Sequence, residues 1–396
     1  MPEPLTVLQV IPRMRAGGAE LGCLQIAEAL VKGGHKALVA SQGGPMVAQL
    51  EAVGARHITL PLASKNPLTL LVNSRALADI IRREKVAIIH ARSRAPAWSA
   101  LWASRKTGIA FVTTYHSEYS EKSRLKNIYN SVMAKSDTVI AVSDYMAHLI
   151  RTRYHTPEER IAIIHRAFDP AKFDIAGVTE QRLAAVRQLL DVPDGARVLM
   201  LAGRITPRKA QEHLVKALGI LRSQGSEGIV AVLAGEIEKP DYKAKLEADA
   251  ERLGVAAWLR FPGHVADMAA AYRASDISLN ISEQEGLPRV AIESQAMGVP
   301  MIVSDTGPGR EVALTPPDVT FAEASGLRVQ YADPQAVAKA IAEMLSWPEG
   351  DRRSMGERGA GHVRRRFTLE QLTSKTLQVY QRVLERRTRA DGRTST

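Results

Sequence analysis

Residues 197–203 read RVLMLAG and residues 229–235 read IVAVLAG, two short apolar runs that flank a polar loop and an amphipathic segment. Short runs rich in apolar and β-branched residues are typical of buried strands, and their alternation with amphipathic segments is typical of a parallel sheet covered by helices. The stretch therefore predicts a strand–helix–strand unit.

The same alternation extends over most of the chain. It predicts six strands in each half, at 5–11, 36–41, 86–91, 110–115, 138–143, 161–165, 197–203, 229–235, 259–263, 276–282, 300–305 and 326–330. Helices fill the gaps, among them 19–33, 73–83 and 95–106. The pattern indicates an α/β protein with two doubly wound sheets, whose ligands bind outside the carboxyl ends of the strands.

The domain boundaries follow from a pause in this alternation. At 396 residues the chain exceeds what one hydrophobic core usually serves. Residues 169–196 hold one polar helix between turn-rich flanks and are predicted to be a linker. We therefore expect a first domain at 1–168, a second at 197–366, a closing helix at 367–390 and a tail at 391–396.

Composition excludes several classes of protein. With 45% hydrophobic and 24% charged residues the chain is globular, and its apolar runs are far shorter than the ~20 residues that span a bilayer. The N-terminus lacks the basic region of a secretion signal, and the single cysteine, Cys23, excludes an internal disulfide. A cytoplasmic protein is expected.

The charge is positive and unevenly spread. The net charge is +11, and residues 1–170 hold 22 Lys and Arg against 13 Asp and Glu. Basic residues are not interleaved with aromatics, which make up 5% of the chain, so an anionic membrane surface or acidic acceptor fits better than nucleic acid. A merely solvated basic surface is the alternative. Trp98 and Trp102, one helical turn apart, are either core residues or part of a docking surface.

Two features of the first half follow strands. Gly17 and Gly18 precede a helix, where glycine allows backbone to approach a ligand and helix amides can receive an anion, although such turns also occur for steric reasons alone. His116 follows the strand at 110–115 and can hydrogen-bond a polar ligand, with a charge that can change near neutral pH. His90, at a similar strand end, competes for this role.

The loop GRITPRKA (203–210) carries Arg204 and Lys209 after the first strand of the second half. An arginine fork and a lysine point charge suit a diphosphate, with solvated surface charge as the alternative. Arg208 is expected at the surface. The sequence contains no H-E-x-x-H motif and no Asp-x-Asp after a strand, so no metal site is predicted.

Residues 282–300, SEQEGLPRVAIESQAMGVP, place Glu285 in a loop, Pro288 at the first position of a helix and Glu293 within that helix. Five helical residues span ~7 to 8 Å, so the two carboxylates can accept hydrogen bonds from two different polyols. The alternative is a helix-dipole partner at Glu285 and a solvated residue at Glu293.

Together these features resemble the retaining glycosyltransferases of family 4, which have the GT-B fold of two Rossmann-like domains facing across a cleft. The resemblance covers nearly the whole chain. It rests on the Gly17–Gly18 loop, His116, AVSDYM (141–146), GRITPRK, LRFPGHV (259–265), the glutamate pair followed by QAMGVPMIVSD, and the closing RRRFTLEQL, which implies a helix that packs back on the first domain.

The resemblance also implies roles for single residues. Glu285 would contact hydroxyls of the transferred sugar, and Glu293 the ribose of the nucleotide. The remaining donor contacts would come from the loop at Gly203, Arg204 and Lys209, from Gly286, Leu287 and Pro288, from Gly17 and Gly18, and from His264 and Val265 beside the base. His116, Arg204, Lys209 and Glu285 would be catalytic, with His116 near the reacting carbon.

The departures concern the acceptor. Many members have an aromatic-Gly pair where this chain has Leu287-Pro288, and HRAFDPAKF (165–173) places Arg166 where a small polar residue is common. Arg15 and Arg166 are candidate acceptor contacts.

The resemblance implies transfer of a hexose such as mannose from a nucleotide-diphosphate sugar, without metal or other cofactor, to a lipid-linked or lipopolysaccharide-core glycan at the cytoplasmic face of a membrane. A nucleotide-sugar 2-epimerase of the same fold and a non-catalytic sugar-nucleotide-binding protein are the alternatives.

Overall fold

The computed structural model describes residues 4–15, 17–119 and 123–393. The chain forms two compact units: the first is Met1–Arg166 with Leu369–Thr396, and the second is Ala167–Thr368.

The first unit contains a seven-stranded sheet in which every strand pairs with its neighbours in parallel. The strands, in chain order, are β1 (Thr6–Val10), β2 (Lys36–Ser41), β3 (Arg56–Thr59), β4 (Ile88–Ala91), β5 (Ala110–Tyr115), β6 (Thr138–Ala141) and β7 (Ile161–Ile163). Their order across the sheet is β3-β2-β1-β4-β5-β6-β7. The reversal beside β1 is the switch point of a doubly wound fold.

Helices cover this sheet. Those of the first segment are α1 (Gly18–Lys32), α2 (Val47–Ala52), α3 (Pro67–Glu84), α4 (Arg94–Thr107), α5 (Arg124–Asn130) and α6 (Asp144–Tyr154). Asn66 caps α3 by accepting from the amide of Leu68 at 2.9 Å, and Pro67 occupies the first turn, where its missing N–H costs nothing.

The second unit has a six-stranded sheet of the same kind. Its strands are β8 (Arg197–Ala202), β9 (Ile229–Ala234), β10 (Leu259–Gly263), β11 (Ile277–Asn280), β12 (Met301–Ser304) and β13 (Gly326–Val329), in the order β10-β9-β8-β11-β12-β13. All pairs are parallel. The helices are α7 (Glu180–Leu189), α8 (Gln211–Ser223), α9 (Pro240–Arg252), α10 (Met268–Arg273), α11 (Arg289–Ala296), α12 (Gly307–Val312), α13 (Pro334–Ser346) and α14 (Glu349–Arg366). Both units are Rossmann-like, as predicted.

The last helix, α15 (Leu369–Arg393), belongs to the first unit. Its residues Val379, Tyr380 and Val383 are buried in the core beneath α1 and β1. The predicted tail begins inside this helix, and residues 394–396 lie outside the described residues.

Residues 169–196, expected as a linker, lie in the second unit. Val186 and Leu190 pack into its core, and Arg182 of α7 donates two hydrogen bonds, of 2.8 and 2.7 Å, to Asp267 at the start of α10. The segment is therefore packed against the domain that it precedes.

In the ranges that the structure describes, no helix is both long and apolar enough to cross a membrane.

Candidate functional site

Three strands of the second sheet end in glycines with positive φ. Gly203 follows β8, Gly235 follows β9 and Gly263 ends β10, with φ of 138°, 155° and 73°. The amide of Gly203 donates to the carbonyl of Ala234, and the amide of Gly235 to that of Gly263, both at 2.8 Å. A Cβ on Gly235 would lie 2.5 Å from the carbonyl carbon of Gly203, closer than real Cβ atoms approach. Bare backbone therefore forms this carboxyl edge, where ligands of open α/β sheets bind.

The loop after β8 is fixed at both ends. The amide of Ile205 donates to the carbonyl of Glu236 at 2.9 Å, which extends the contact between the two strand ends. Gln211, the fully buried first residue of α8, donates from Nε2 to the carbonyl of Arg204 at 3.0 Å. A short 3-10 turn over Pro207–Lys209 leads into α8. The backbone that carries the two predicted diphosphate ligands is thus held by buried contacts.

Lys209 and Glu285 form an ion pair at this edge. Their side chains are only 17% and 15% exposed. The amide of Glu283 donates to the carbonyl of Arg208 at 3.0 Å, so the loop before α11 is bonded to the loop after β8. A Cβ on Gly203 would lie 3.2 Å from Cε of Lys209, which shows how closely the lysine lies along the glycine turn. The structure brings together two residues that lie 76 positions apart in the sequence.

Arg204 has a different partner from Lys209. Its Nη1 lies 2.5 Å from Oε2 of Glu238, and the two side chains are 62% and 42% exposed. Exposed ion pairs contribute little to stability, so the guanidinium can exchange this carboxylate for a phosphate at small cost. The side chain of Arg208 is exposed, as expected.

The turn before α11 is buried. Gly286, Leu287 and Pro288 are all buried, and Pro288 is the N-cap residue, so the helix begins at Arg289, one residue later than predicted. Gly298, with φ of 74°, follows the end of the helix. The helix N-terminus therefore presents backbone amides, not side chains, at the edge that Lys209 and Glu285 occupy.

Glu293 is enclosed within the second unit and paired with a cation that the sequence analysis did not select. Its Oε1 lies 3.4 Å from Nη2 of Arg289, one helical turn earlier, and the two side chains are 14% and 9% exposed. Burial raises the pKa of Glu293, and the charges of Arg289 and Lys172 partly offset this rise. The solvated alternative for Glu293 is therefore wrong. The i, i+4 spacing of Arg289 and Glu293 was the signal available in the sequence.

A buried hydroxyl also lies near this carboxyl group. Tyr272 of α10 is fully buried, and its Oη has no hydrogen-bond partner among the described residues. Burial raises its pKa well above the ordinary value, and the charge of Glu293 adds to the rise. The loop between β10 and α10 carries the two other predicted donor contacts, His264, which is exposed, and Val265, which is buried.

In the first unit, the structure separates the two histidines that competed for one role. His90 is buried, with its Nδ1 2.7 Å from the hydroxyl of Tyr380 and its Nε2 2.7 Å from Oγ1 of Thr114. Neither ring nitrogen of His116 has a hydrogen-bond partner in the described ranges. His90 is thus committed to the core, and His116 is the histidine with unused hydrogen-bonding capacity.

The surroundings of His116 favour its neutral form. Burial lowers its pKa well below the ordinary value, and the positive charges of Arg166 and Arg92 lower it further. The expectation that its charge changes near neutral pH is wrong, because the imidazolium would be desolvated beside two guanidinium groups. Arg166 donates from Nη2 to the carbonyl of His116 at 2.9 Å, which ties this predicted acceptor contact to the histidine.

The glycine loop of the first unit has ordinary backbone geometry. Gly17 is extended, with φ of −162°, and accepts at its carbonyl from the amide of Leu21 at 2.9 Å. A Cβ on Gly17 would meet only the carboxylate of Glu20, the far end of a flexible side chain, so the structure does not require glycine at this position. Gly18 begins α1, and Arg15 is exposed before it.

Comparisons with known proteins cover both units. The sequence profile described as Glycosyltransferase Family 4 matches residues 16–172, and that described as Glycosyl transferases group 1 matches residues 185–362. A D-inositol 3-phosphate glycosyltransferase of Salinispora tropica is 27% identical over an alignment that covers 94% of this chain and 83% of that protein.

Solved structures of glycosyltransferases also match this chain. The crystal structure of a glycosyltransferase from Rickettsia africae matches with a TM-score of 0.85 and 29% identity, over 96% of this chain and 99% of that one. The Anabaena HepE structure in complex with UDP and glucose matches with a TM-score of 0.81 and 20% identity, over 95% and 99%, and at that identity it shows the fold alone. The chain belongs to the family 4 glycosyltransferases and has their GT-B fold of two Rossmann-like domains.

Proposed function

We propose that the protein is a retaining, metal-independent hexosyltransferase that moves a sugar such as mannose from a nucleotide-diphosphate donor to a hydroxyl of a lipid-linked glycan. The observation that carries the donor part is the set of groups at one sheet edge: a glycine backbone, the Lys209–Glu285 pair and the buried Arg289–Glu293 pair. Cations and amides suit a diphosphate, and two carboxylates suit the polyols on either side of it.

In this proposal Lys209 and Arg204 bind the diphosphate, assisted by amides at Gly286 and Leu287. Glu285 then accepts hydrogen bonds from the transferred sugar, and its contact with Lys209 supports adjacent sites for sugar and phosphate. Glu293 accepts from the ribose. Because its burial is costly, a hydroxyl that hydrogen-bonds the carboxylate relieves part of that cost.

The reaction breaks the bond between the anomeric carbon and the diphosphate oxygen and forms a bond from that carbon to the acceptor oxygen on the same face. The leaving diphosphate takes the proton of the acceptor hydroxyl, so no protein base is needed. Lys209 and Arg204 stabilise the negative charge that develops on the leaving group, the role that a metal ion serves elsewhere. In the first unit, His116 is the candidate for substrate contact, as a neutral hydrogen-bonding group.

The acceptor part of the proposal rests on the charge of the first half of the chain. The basic first half of the chain supports an acceptor at the cytoplasmic face of an anionic membrane, and we propose the core of lipopolysaccharide as the glycan class. The names of relatives such as the Salinispora inositol-phosphate enzyme favour a phosphorylated polyol instead, and both classes belong in the acceptor panel.

The donor proposal is tested by an Arg204→Ala/Lys209→Ala double variant, with Arg208→Ala as the control in the same loop. We expect the double variant to lose transfer by roughly 100-fold or more, the cost of removing preorganised charge stabilisation, and the control to keep it. Near-native turnover of the double variant with its correct donor would refute the assignment.

The donor itself is identified by a thermal-shift panel of UDP-, GDP- and ADP-sugars. A donor at a hundred times its Kd stabilises the native state by ~2.7 kcal/mol, so the correct base stands out. Conversion of the donor with no acceptor present would instead favour the 2-epimerase, and binding without transfer or hydrolysis a non-catalytic protein.

A further inference from the structure

The first unit has a surface on which apolar side chains are exposed in a regular pattern. Leu68, Leu71 and Val72 of α3 are 72%, 49% and 60% exposed. Leu125 and Ile128 of α5 are 80% and 51% exposed. Spacings of three and four residues place each set on one face of its helix. On α3 this face lies opposite a buried face, so the N-terminal half of the helix is apolar on both sides.

The two helices flank the same point of α4. Nε1 of Trp98 donates to the carbonyl of Tyr129, at the end of α5, at 3.1 Å. Oγ of the next residue, Ser99, donates to the carbonyl of Leu70, on α3, at 2.9 Å. Since adjacent residues of α4 contact both helices, their exposed apolar residues belong to one region of the surface.

Trp98 and Trp102 support this region from below. Both are half-buried, their ring centroids are 5.7 Å apart, and Nζ of Lys135 lies 5.2 Å from the ring centroid of Trp98. The tryptophans therefore act in packing, and the apolar groups that face solvent are those of the neighbouring helices.

The charged groups nearest in sequence to these apolar residues are cations. Lys65, Arg75, Arg124 and Lys126 are exposed, and none of them has a carboxylate partner among the described residues. The segments 60–78, 92–117 and 123–136, which form this part of the unit, contain no Asp or Glu at all. The acids that directly follow these segments are each paired with an arginine: Asp79 with Arg82 at 3.1 Å, Glu118 with Arg153 at 3.0 Å and Asp137 with Arg387 at 2.9 Å.

We propose that this apolar–basic surface, formed by the five apolar residues of α3 and α5 and the four cations beside them, docks the protein on an anionic lipid bilayer. The inference rests on the lipid-linked acceptor of the proposed function and names the surface that brings the protein to it. A bilayer interface supplies both an apolar phase for the leucines and anionic headgroups for the cations.

Other occupants fit the same residues less well. A second copy of this chain would place identical cations opposite one another across a two-fold interface, where like charges repel. Nucleic acid would attract the cations but would leave the leucines in water, and the surface exposes no aromatic ring to stack on bases.

The test is flotation of the full chain with vesicles of phosphatidylcholine alone or of equimolar phosphatidylcholine and phosphatidylglycerol. We expect binding to the anionic vesicles only. The triple variant Arg75→Gln/Arg124→Gln/Lys126→Gln should lose about fivefold in affinity per charge, on the order of 100-fold in total. Lys339→Gln, an exposed lysine of the second unit, is the matched control and should bind like the wild type.

The apolar part is tested by Leu68→Ser/Leu71→Ser/Val72→Ser, which should lower the affinity roughly tenfold or more because less apolar area enters the bilayer. Leu189→Ser is its control, since Leu189 is a 60% exposed leucine of α7 in the second unit. Variants that float like the wild type, or equal binding to neutral and anionic vesicles, would overturn the proposal. So would a wild-type dimer, measured by sedimentation, that the apolar variant abolishes.

Donor binding keeps the two proposals apart. The thermal shift caused by a nucleotide sugar is measured without vesicles, and every surface variant should retain the wild-type shift, which also shows that it is folded. Loss of vesicle binding with intact donor binding supports the surface, whereas a wild type that floats but binds no donor contradicts the proposed function alone.

Discussion

Replacing Gly235 with alanine tests whether the backbone at the carboxyl edge of the second sheet sets donor affinity. The new Cβ would lie 2.5 Å from the carbonyl carbon of Gly203, whereas real Cβ atoms essentially never come within 3.0 Å of another heavy atom. The carbonyl oxygen of Gly203 lies closer still, so the Gly203 turn must retreat by about 1 Å, and Arg204 moves with it. The φ of 155° adds strain that alanine tolerates poorly, of order 1–3 kcal/mol.

Since displacement of 1 Å in a positioned site can cost 100-fold, Gly235→Ala should weaken donor binding by up to about 100-fold, or ~2.8 kcal/mol. Calorimetric titration with the donor gives the affinity, and urea unfolding gives the stability. Gly225→Ala is the control, because Gly225 also has a positive φ, of 84°, but open space at its Cβ. The control should lose ~1–2 kcal/mol of stability and no affinity. If Gly235→Ala binds the donor as tightly as Gly225→Ala does, then the glycine backbone at the carboxyl edge of the second sheet does not position Arg204 and Lys209.

Three further predictions concern single contacts. Tyr380→Phe leaves a ring nitrogen of His90 buried without a partner and should cost about 1–3 kcal/mol in urea unfolding; a loss below 0.5 kcal/mol would show that water replaces the hydroxyl. Glu293→Gln should become more stable relative to the wild type as pH rises. The pKa of Glu293 is raised in the folded state, so the wild type loses stability as pH rises above the range in which a glutamate ordinarily titrates. A Tm difference between the two proteins that stays flat from pH 5 to about 8 would contradict this. Arg182→Gln breaks a half-exposed pair with Asp267 and should cost no more than about 1 kcal/mol, and a larger loss would mean that α7 depends on this pair.

The sheet architecture was predictable because strands buried on both faces are read as apolar runs. All twelve predicted strands overlap strands of the structure, and the missed strand is β3, Arg56–Thr59, an edge strand that pairs only with β2. Its residues are exposed or half-buried, so it lacks the apolar signal on which the prediction relied. The closing helix α15 was predicted to start near its observed first residue. The helix before it, α14, was not predicted as a separate element of the second domain.

Side-chain partners were harder to predict than backbone positions. The sequence placed Lys209 and Glu285 at one edge, yet their direct contact depends on two loops bonded through Arg208 and Glu283. Arg204 pairs with Glu238, a partner that no motif in the sequence indicated. The exposure of the leucines of α3 was equally hard to predict, because this helix is apolar on both faces and periodicity alone does not tell which face is buried.

The path of the chain through the two units has a consequence for synthesis on the ribosome. The chain leaves the first unit after Arg166 and returns to it at Leu369, and the amide of Phe168 donates to the carbonyl of Phe367 at 3.3 Å where the two passages run side by side. Tyr380 and His90 are separated by 290 residues. Domains generally fold in the order in which they emerge, but here the first sheet must wait for the whole second unit before its last helix arrives. The second unit can therefore complete its native core before the first unit does. Until α15 emerges, the incomplete first unit is the part of the nascent chain that most needs chaperones.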